Sequence, residues 1–186
     1  GEYCIRLGSQ TQGVSYTGLE YDSSFVSFAR RRAAGQVAYP FERPNPANSY
    51  AFVQGDGLDL PFDDGSFDAV VSNPPYYPAG SGGVSDFPAL AAARTELFCT
   101  LDDLCACAAW LLRSGGRFFV VHKPERLAEL ICALSRRRLE PKRLRLVRHQ
   151  AGGPVSLVLL EARLDGRPGL QFDPDLCLYD ASGAES

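Results

Sequence analysis

Phe67-Asp68-Ala69-Val70-Val71-Ser72-Asn73-Pro74-Pro75-Tyr76 is the stretch on which the fold turns. The apolar run from Phe67 to Val71 reads as a buried strand, and the double proline stops it. Two prolines hold two φ angles at about −65° and remove two N–H donors, so the backbone leaves the sheet ladder in an extended form with its carbonyls unused. The Asn73 side-chain oxygen and the Pro74 carbonyl can then both accept from one NH₂ group, and Tyr76 offers a face on which a planar ring can stack. Asn-Pro and Pro-Pro are also ordinary loop punctuation, so the competing reading is a plain strand-ending turn.

With 186 residues, 45% apolar and 22% charged, the chain has the material for one α/β domain spanning 1–186. It contains no Met, which leads us to expect an N-terminally incomplete or processed domain. Cys4, Cys99, Cys105, Cys107, Cys132 and Cys177 form no Cys-x-x-Cys pair and there are only two His, so neither a metal site nor a disulfide framework is expected. No apolar stretch is long enough for a membrane span and no signal segment opens the chain, which together point to the cytoplasm.

The net charge of −3 hides an asymmetry. Residues 113–148 carry 11 of the 19 Lys and Arg against Glu125, Glu129 and Glu140. Such a segment suits phosphates, although a solvated basic face gives the same pattern.

Upstream, residues 14–20 read as a strand closing on Glu20, with Tyr21-Asp22-Ser23-Ser24 as turn and cap for a helix to Ala34. Residues 36–48, with Pro40, Pro44 and Pro46, are a loop, and Tyr50 begins a strand ending in Gly55-Asp56-Gly57. Downstream, the Gly-rich residues 77–86 suggest a lid, residues 87–100 and 101–112 two helices, and residues 117–122 a central strand. Pro124 marks the first turn of a helix to about Arg138. Residues 142–149 and 155–163 are the last two strands, and the tail to Tyr179 reads as an appended hairpin and loose end. Alternating β and α followed by an antiparallel pair indicates an α/β, Rossmann-like sheet of seven strands with a terminal antiparallel hairpin.

Asn73-Pro74-Pro75-Tyr76 after a hydrophobic strand resembles motif IV of the class I S-adenosylmethionine-dependent methyltransferases that modify exocyclic or amide nitrogens. Four further segments, Ala93-Arg94-Thr95-Glu96, residues 111–117, His122-Lys123-Pro124-Glu125-Arg126-Leu127 and residues 139–147, are similar in order and spacing to the bacterial tRNA (adenine-N6) methyltransferases. Those enzymes act on the adenine beside the anticodon of a valine tRNA. The likeness runs from about Tyr16 to about Asp180.

The resemblance implies S-adenosylmethionine as cofactor, tRNA as partner, and Asn73, Pro74, Pro75 and Tyr76 as the catalytic corner. It implies cofactor contacts at Glu20, Asp56, Gly57 and Asn73, with Glu20 accepting from the ribose hydroxyls as in other doubly wound folds, Asp56 taking the adenine amine and Gly57 leaving room for the ring. Leu7-Gly8-Ser9-Gln10-Thr11-Gln12-Gly13 resembles the glycine loop after the first strand, which adds Gly8 to the cofactor set. Glu20 follows Gly8 by only 12 positions, whereas a crossover needs roughly 30 residues, so the usual first helix does not fit between them.

Two acceptors at the corner would draw the amine protons out of the ring plane and free the nitrogen lone pair, making catalysis mostly positioning and electrostatics. The amine loses its proton easily once methylated, so His122 is read as a strand-end residue and not a base. Arg94 is left between a phosphate contact and a pairing with Glu96. A protein glutamine amide and an rRNA guanine amine suit the same chemistry, and a non-catalytic binding module on this scaffold stands as the reading from another class.

Overall fold

An aspartate where an extended run must turn into a helix sets up the first unit. Asp22 accepts from the Ser24 backbone N–H at 2.7 Å and so caps α2 (Ser23–Ala33). This helix carries the chain from β1 (Ser15–Glu20) to β2 (Ser49–Gln54), and the strands pair in parallel with Ser15 opposite Ser49 and Glu20 opposite Gln54. α1 (Glu2–Ser9) precedes them. Ile5, Val26, Ala29 and Phe52 form the core between helices and strands. Arg30 ties α2 to the sheet by donating twice to the Phe52 carbonyl, at 3.0 and 2.7 Å.

The computed structural model describes residues 2–20, 22–37, 43–55, 60–74, 76–78, 95–96 and 100–180. The chain divides into two compact units, Gly1–Pro61 and Phe62–Ser186.

In the second unit Thr100 and Asp103 cap each other reciprocally and start α3 (Leu101–Leu111), which runs directly into β6 (Leu112–His122). β6 pairs in parallel with β3 (Phe67–Ser72), Ser72 lying opposite Val120. Between Leu112 and Arg117 the register shifts, and Gly116 lets the strands close there: a Cβ would stand 2.8 Å from the Arg113 carbonyl oxygen. Pro124–Arg126 make a 3₁₀ turn before α4 (Leu127–Arg136).

β7 (Leu139–Arg148) and β8 (Val155–Leu164) then form an antiparallel pair, as the sequence predicts. β8 also pairs antiparallel with β6, and the two-residue strands β9 (Gln171–Phe172) and β10 (Leu176–Cys177) add in parallel to β7. Alternate residues of this sheet, Phe118, Val120, Leu144, Val158, Leu160 and Ala162, bury against Leu101, Cys105 and Ala108 of α3 and Leu130, Ala133 and Leu134 of α4. The intervening residues, among them Phe119, Val121 and Leu159, face away and with Val71 and Arg143 line a groove of about 290 Å³.

Several expectations are corrected. Residues 7–9 are not a strand-terminal loop: Gly8 lies inside α1, where Cys4, Ile5 and Gly8 share the buried helix face. A Cβ at Gly8 would run into the Tyr50 hydroxyl, so packing accounts for the glycine. The expected α/β, Rossmann-like architecture is present, and among the described residues its strands form the β1–β2 pair, a six-stranded mixed sheet and a short parallel pair of β4 (Tyr77–Pro78) with β5 (Thr95–Glu96). Thr95 and Glu96 are therefore strand and not helix.

The tail is not loose. The Asp173 N–H donates to the Leu144 carbonyl at 2.9 Å and the Tyr179 N–H to the His149 carbonyl at 2.9 Å, so the tail straps the outer edge of β7 and covers backbone groups that would otherwise template aggregation. Asp56, Gly57, Pro75, the lid at 79–86, the rest of the 87–99 helix with Ala93 and Arg94, and Tyr21 lie outside the described residues.

Candidate functional site

Parallel strands deliver their carboxyl ends to one edge, and in each unit an expected site residue stands there. In the first unit Glu20 closes β1, half-buried, beside Gly55, whose N–H donates to the Glu20 carbonyl at 3.1 Å. A Cβ at Gly55 would stand 2.8 Å from Leu19 Cδ1, so the Leu19 side chain packs against the backbone after β2. A carboxylate at the end of a parallel strand can accept from ribose hydroxyls. Asp56 follows Gly55 directly.

In the second unit β3 ends at Ser72 and β6 at His122, which brings Asn73 and His122 to the same edge. The corner is folded on itself. Tyr76 donates its hydroxyl to Asn73 Oδ1 at 2.6 Å, which fixes the side-chain amide with its oxygen toward Tyr76. Asn73 is exposed and Pro74 half-buried, so the acceptors stand at the surface of the unit.

The Tyr76 ring meets His122 edge to face, centroids 5.6 Å apart at 78°. Lys123 Nζ lies over the same ring, 5.6 Å from its centroid, and donates to the Ser156 carbonyl at 3.3 Å.

Arg126 completes the cluster. Its Nη1 donates to the Tyr76 carbonyl at 3.2 Å, while Nε and Nη2 grip Glu129 at 2.9 and 2.6 Å. The hydrogen bond from Arg126, with its charge, holds the Glu129 carboxyl below the usual carboxylate range. Thus Tyr76 touches His122, Lys123 and Arg126, which lie some 50 positions away in the sequence. The sequence reading assigned no role to Arg126; the one local signal was a Glu three residues downstream on the same helical face. His122 is a strand-end residue as read, and it is wholly buried beneath Tyr76.

The basic segment is balanced from within. Arg113 pairs with Asp68, Arg117 and Arg143 with Glu161, Arg136 and Arg137 with Asp102, Arg138 with Asp165, Arg143 with Asp173 and Arg148 with Asp175. Lys142 and Arg145 donate to the carbonyls of Arg167 and Pro174. The two arginines hold the Asp102 carboxyl below its ordinary value, Arg137 more strongly than Arg136. A phosphate would have to displace these partners. Exposed pairs are each worth at most about 1 kcal/mol, so such an exchange costs little.

The groove beside Phe119 and Leu159 lies along the strands and does not include Asn73 or Tyr76. Among the described residues no cluster of three or more His, Cys, Asp or Glu is placed to hold a metal ion, and no helix is long and apolar enough to cross a membrane.

Residues 1–74, from α1 to the start of the Asn73 corner, match a family model described as a methyltransferase domain. No curated protein matches the chain significantly. Among solved structures, a predicted O-methyltransferase from Agrobacterium tumefaciens is 19% identical, with 91% of this chain and 72% of that one aligned at a TM-score of 0.64. An S-adenosylmethionine-dependent methyltransferase from Methanosarcina mazei is 16% identical over 89% and 86%, TM-score 0.57. The geranyl diphosphate C-methyltransferase of Streptomyces coelicolor, solved with S-adenosylhomocysteine, is 16% identical over 80% and 64%, TM-score 0.52. The chain has the α/β fold of these methyltransferases.

Proposed function

We propose that the chain is an S-adenosylmethionine-dependent N-methyltransferase whose corner at Asn73-Pro74-Pro75-Tyr76 grips a planar NH₂ group, the exocyclic amine of adenine in an RNA such as tRNA. The observation that carries this reading is the 2.6 Å bond from the Tyr76 hydroxyl to Asn73 Oδ1. It fixes an amide oxygen as an acceptor next to an aromatic ring, at the edge where two parallel strands end.

Asn73 Oδ1 and the Pro74 carbonyl accept the two amine protons, so the nitrogen leaves conjugation with its ring and its own pair becomes available. Tyr76 holds the base by stacking, a contact worth about 1–3 kcal/mol. S-adenosylmethionine, when bound, would supply the methyl group from its sulfonium, the C–S electrons going to sulfur as the N–C bond forms and the amine's surplus proton passing to water. Glu20 would accept from its ribose hydroxyls and Asp56 from its adenine amine, with Gly57 leaving room for the ring. Gly8 is left out of this set, because Tyr50 accounts for it.

A second acceptor substrate is favoured by a specific observation. The arginines of residues 113–148 are largely paired with acids of the chain, which weakens the field they offer RNA, and a protein glutamine amide presents the same flat NH₂. Titrating the chain calorimetrically with S-adenosylhomocysteine tests the cofactor half, and binding is expected in the micromolar range. Labelled methyl transfer to unmodified tRNA at rising salt tests the other half. A steep salt dependence supports RNA, and transfer to a glutamine-bearing protein that ignores salt overturns it.

A further inference from the structure

A grip on one amine nitrogen works only if both acceptors stay within a fraction of an ångström of their places. On its upstream side the corner is stiffened by β3 and by proline. Downstream, the described residues pass into β4, whose two residues pair with the two of β5, and between it and the corner Arg126 reaches the Tyr76 carbonyl.

We propose that Arg126 is a positioning residue: its guanidinium, oriented by Glu129, holds the Tyr76 carbonyl and thereby sets the Tyr76 hydroxyl and Asn73 Oδ1 in their working places. The inference rests on the corner being the amine site, and it adds a part of that site which no resemblance or comparison assigns. The geometry runs in one line. Glu129 takes the Nε–Nη2 edge of the guanidinium bidentately at 2.9 and 2.6 Å, which leaves Nη1 pointing to the Tyr76 carbonyl at 3.2 Å. The Tyr76 hydroxyl in turn reaches Asn73 at 2.6 Å.

Arg126 is well suited to the task. It ends the 3₁₀ turn opened by Pro124, and its side chain is only 12% exposed, so the fork is held from its own backbone as well as by Glu129. With His122 against the Tyr76 ring edge to face and Lys123 over it, a fixed carbonyl fixes the whole residue. A lysine cannot replace the fork, because one ammonium cannot hold a carboxylate bidentately and still aim a donor at a second acceptor in a set direction.

The test uses the full chain and the variants Arg126→Gln, Arg126→Lys and Glu129→Gln. Three quantities are read on each: amide hydrogen exchange at Asn73, Tyr76 and Tyr77; kcat for methyl transfer; and affinity for S-adenosylhomocysteine. Arg126→Gln should speed exchange at the corner and lower kcat by about 10- to 100-fold, with affinity for S-adenosylhomocysteine changed less than about threefold. Arg126→Lys should not restore kcat, and Glu129→Gln, at a half-exposed position that folding tolerates, should fall between Gln and wild type.

Unchanged corner exchange in Arg126→Gln and Glu129→Gln, or full kcat in Arg126→Lys, overturns the assignment. If the wild-type chain transfers no methyl to any flat amine, the functional reading fails, while the exchange measurement still decides whether Arg126 holds the corner.

Discussion

Replacing Tyr76 by phenylalanine removes one oxygen, and with it the 2.6 Å bond to Asn73 Oδ1, while leaving the ring in contact with His122 and Lys123. A neutral bond of this kind contributes about 0.5–1.5 kcal/mol net. Asn73 is exposed, so little of that reaches global stability; unfolding free energy should move by less than about 1 kcal/mol. The effect falls instead on how well the amide oxygen is aimed when the amine docks. If the whole of the bond's value goes into aiming, kcat drops by about 2- to 13-fold, since about 1.4 kcal/mol is a factor of ten. Tyr76→Ala also removes the stacking surface and should lose about a further tenfold or more. The assay is labelled methyl transfer to unmodified tRNA at saturating cofactor, with unfolding followed in parallel. A phenylalanine variant faster than wild type would mean the hydroxyl competes with the substrate for Oδ1. Wild-type rates in both variants would refute the role of the ring and of the bond together.

Two further predictions concern what holds the second unit. Phe118 is fully buried between β3, β8 and the helices α3 and α4, and Phe118→Ala should cost about 3–5 kcal/mol in urea unfolding; a loss below about 1 kcal/mol would mean that this layer is not the core. Acid should destabilise through carboxyls held low by their hydrogen bonds: Asp22 by Ser24, Asp102 by Arg137 and Arg136, Asp103 by Thr100 and Glu129 by Arg126. A carboxyl depressed in the folded state contributes its stability in full above its unfolded value of about 4 and loses it as pH falls through the lower folded value. Stability should therefore decline below about pH 4, and Asp102→Asn should flatten that limb; a limb of unchanged slope in the variant would sink the attribution.

The strand ends at which the candidate site residues stand were legible in the sequence, because apolar runs and the residues that stop them are local signals. Glu20 after β1 and Asn73 after β3 stand where the pattern put them. Gly8 misled for an equally local reason. Its neighbours look like a glycine loop, but Cys4 and Ile5 continue a helical face that only the Tyr50 side chain, 42 positions away in the sequence, explains. Arg126 was invisible as a partner of Tyr76 because the two are 50 positions apart and are joined by the pairing of β3 with β6.

The tail strap escaped notice similarly. Asp173, Pro174 and Asp175 gain meaning only when β7 presents Arg143, Arg145 and Arg148 along one edge. The same pairing shows that basic residues counted along 113–148 are partly matched by acids that lie elsewhere in the sequence. Charge counted along a chain says nothing of where the acids fold back.

The most direct measurement of the central claim is a pair of numbers on Asn73→Ala: kcat for methyl transfer to the flat amine, and the dissociation constant for S-adenosylhomocysteine. Loss of one preorganised partner of the reacting nitrogen should lower kcat by about 10²- to 10³-fold, as removal of a single donor does at an oxyanion site, while cofactor affinity stays within about threefold. An undiminished kcat, or kcat and affinity falling by the same factor, would place Asn73 outside the chemistry and contradict the account.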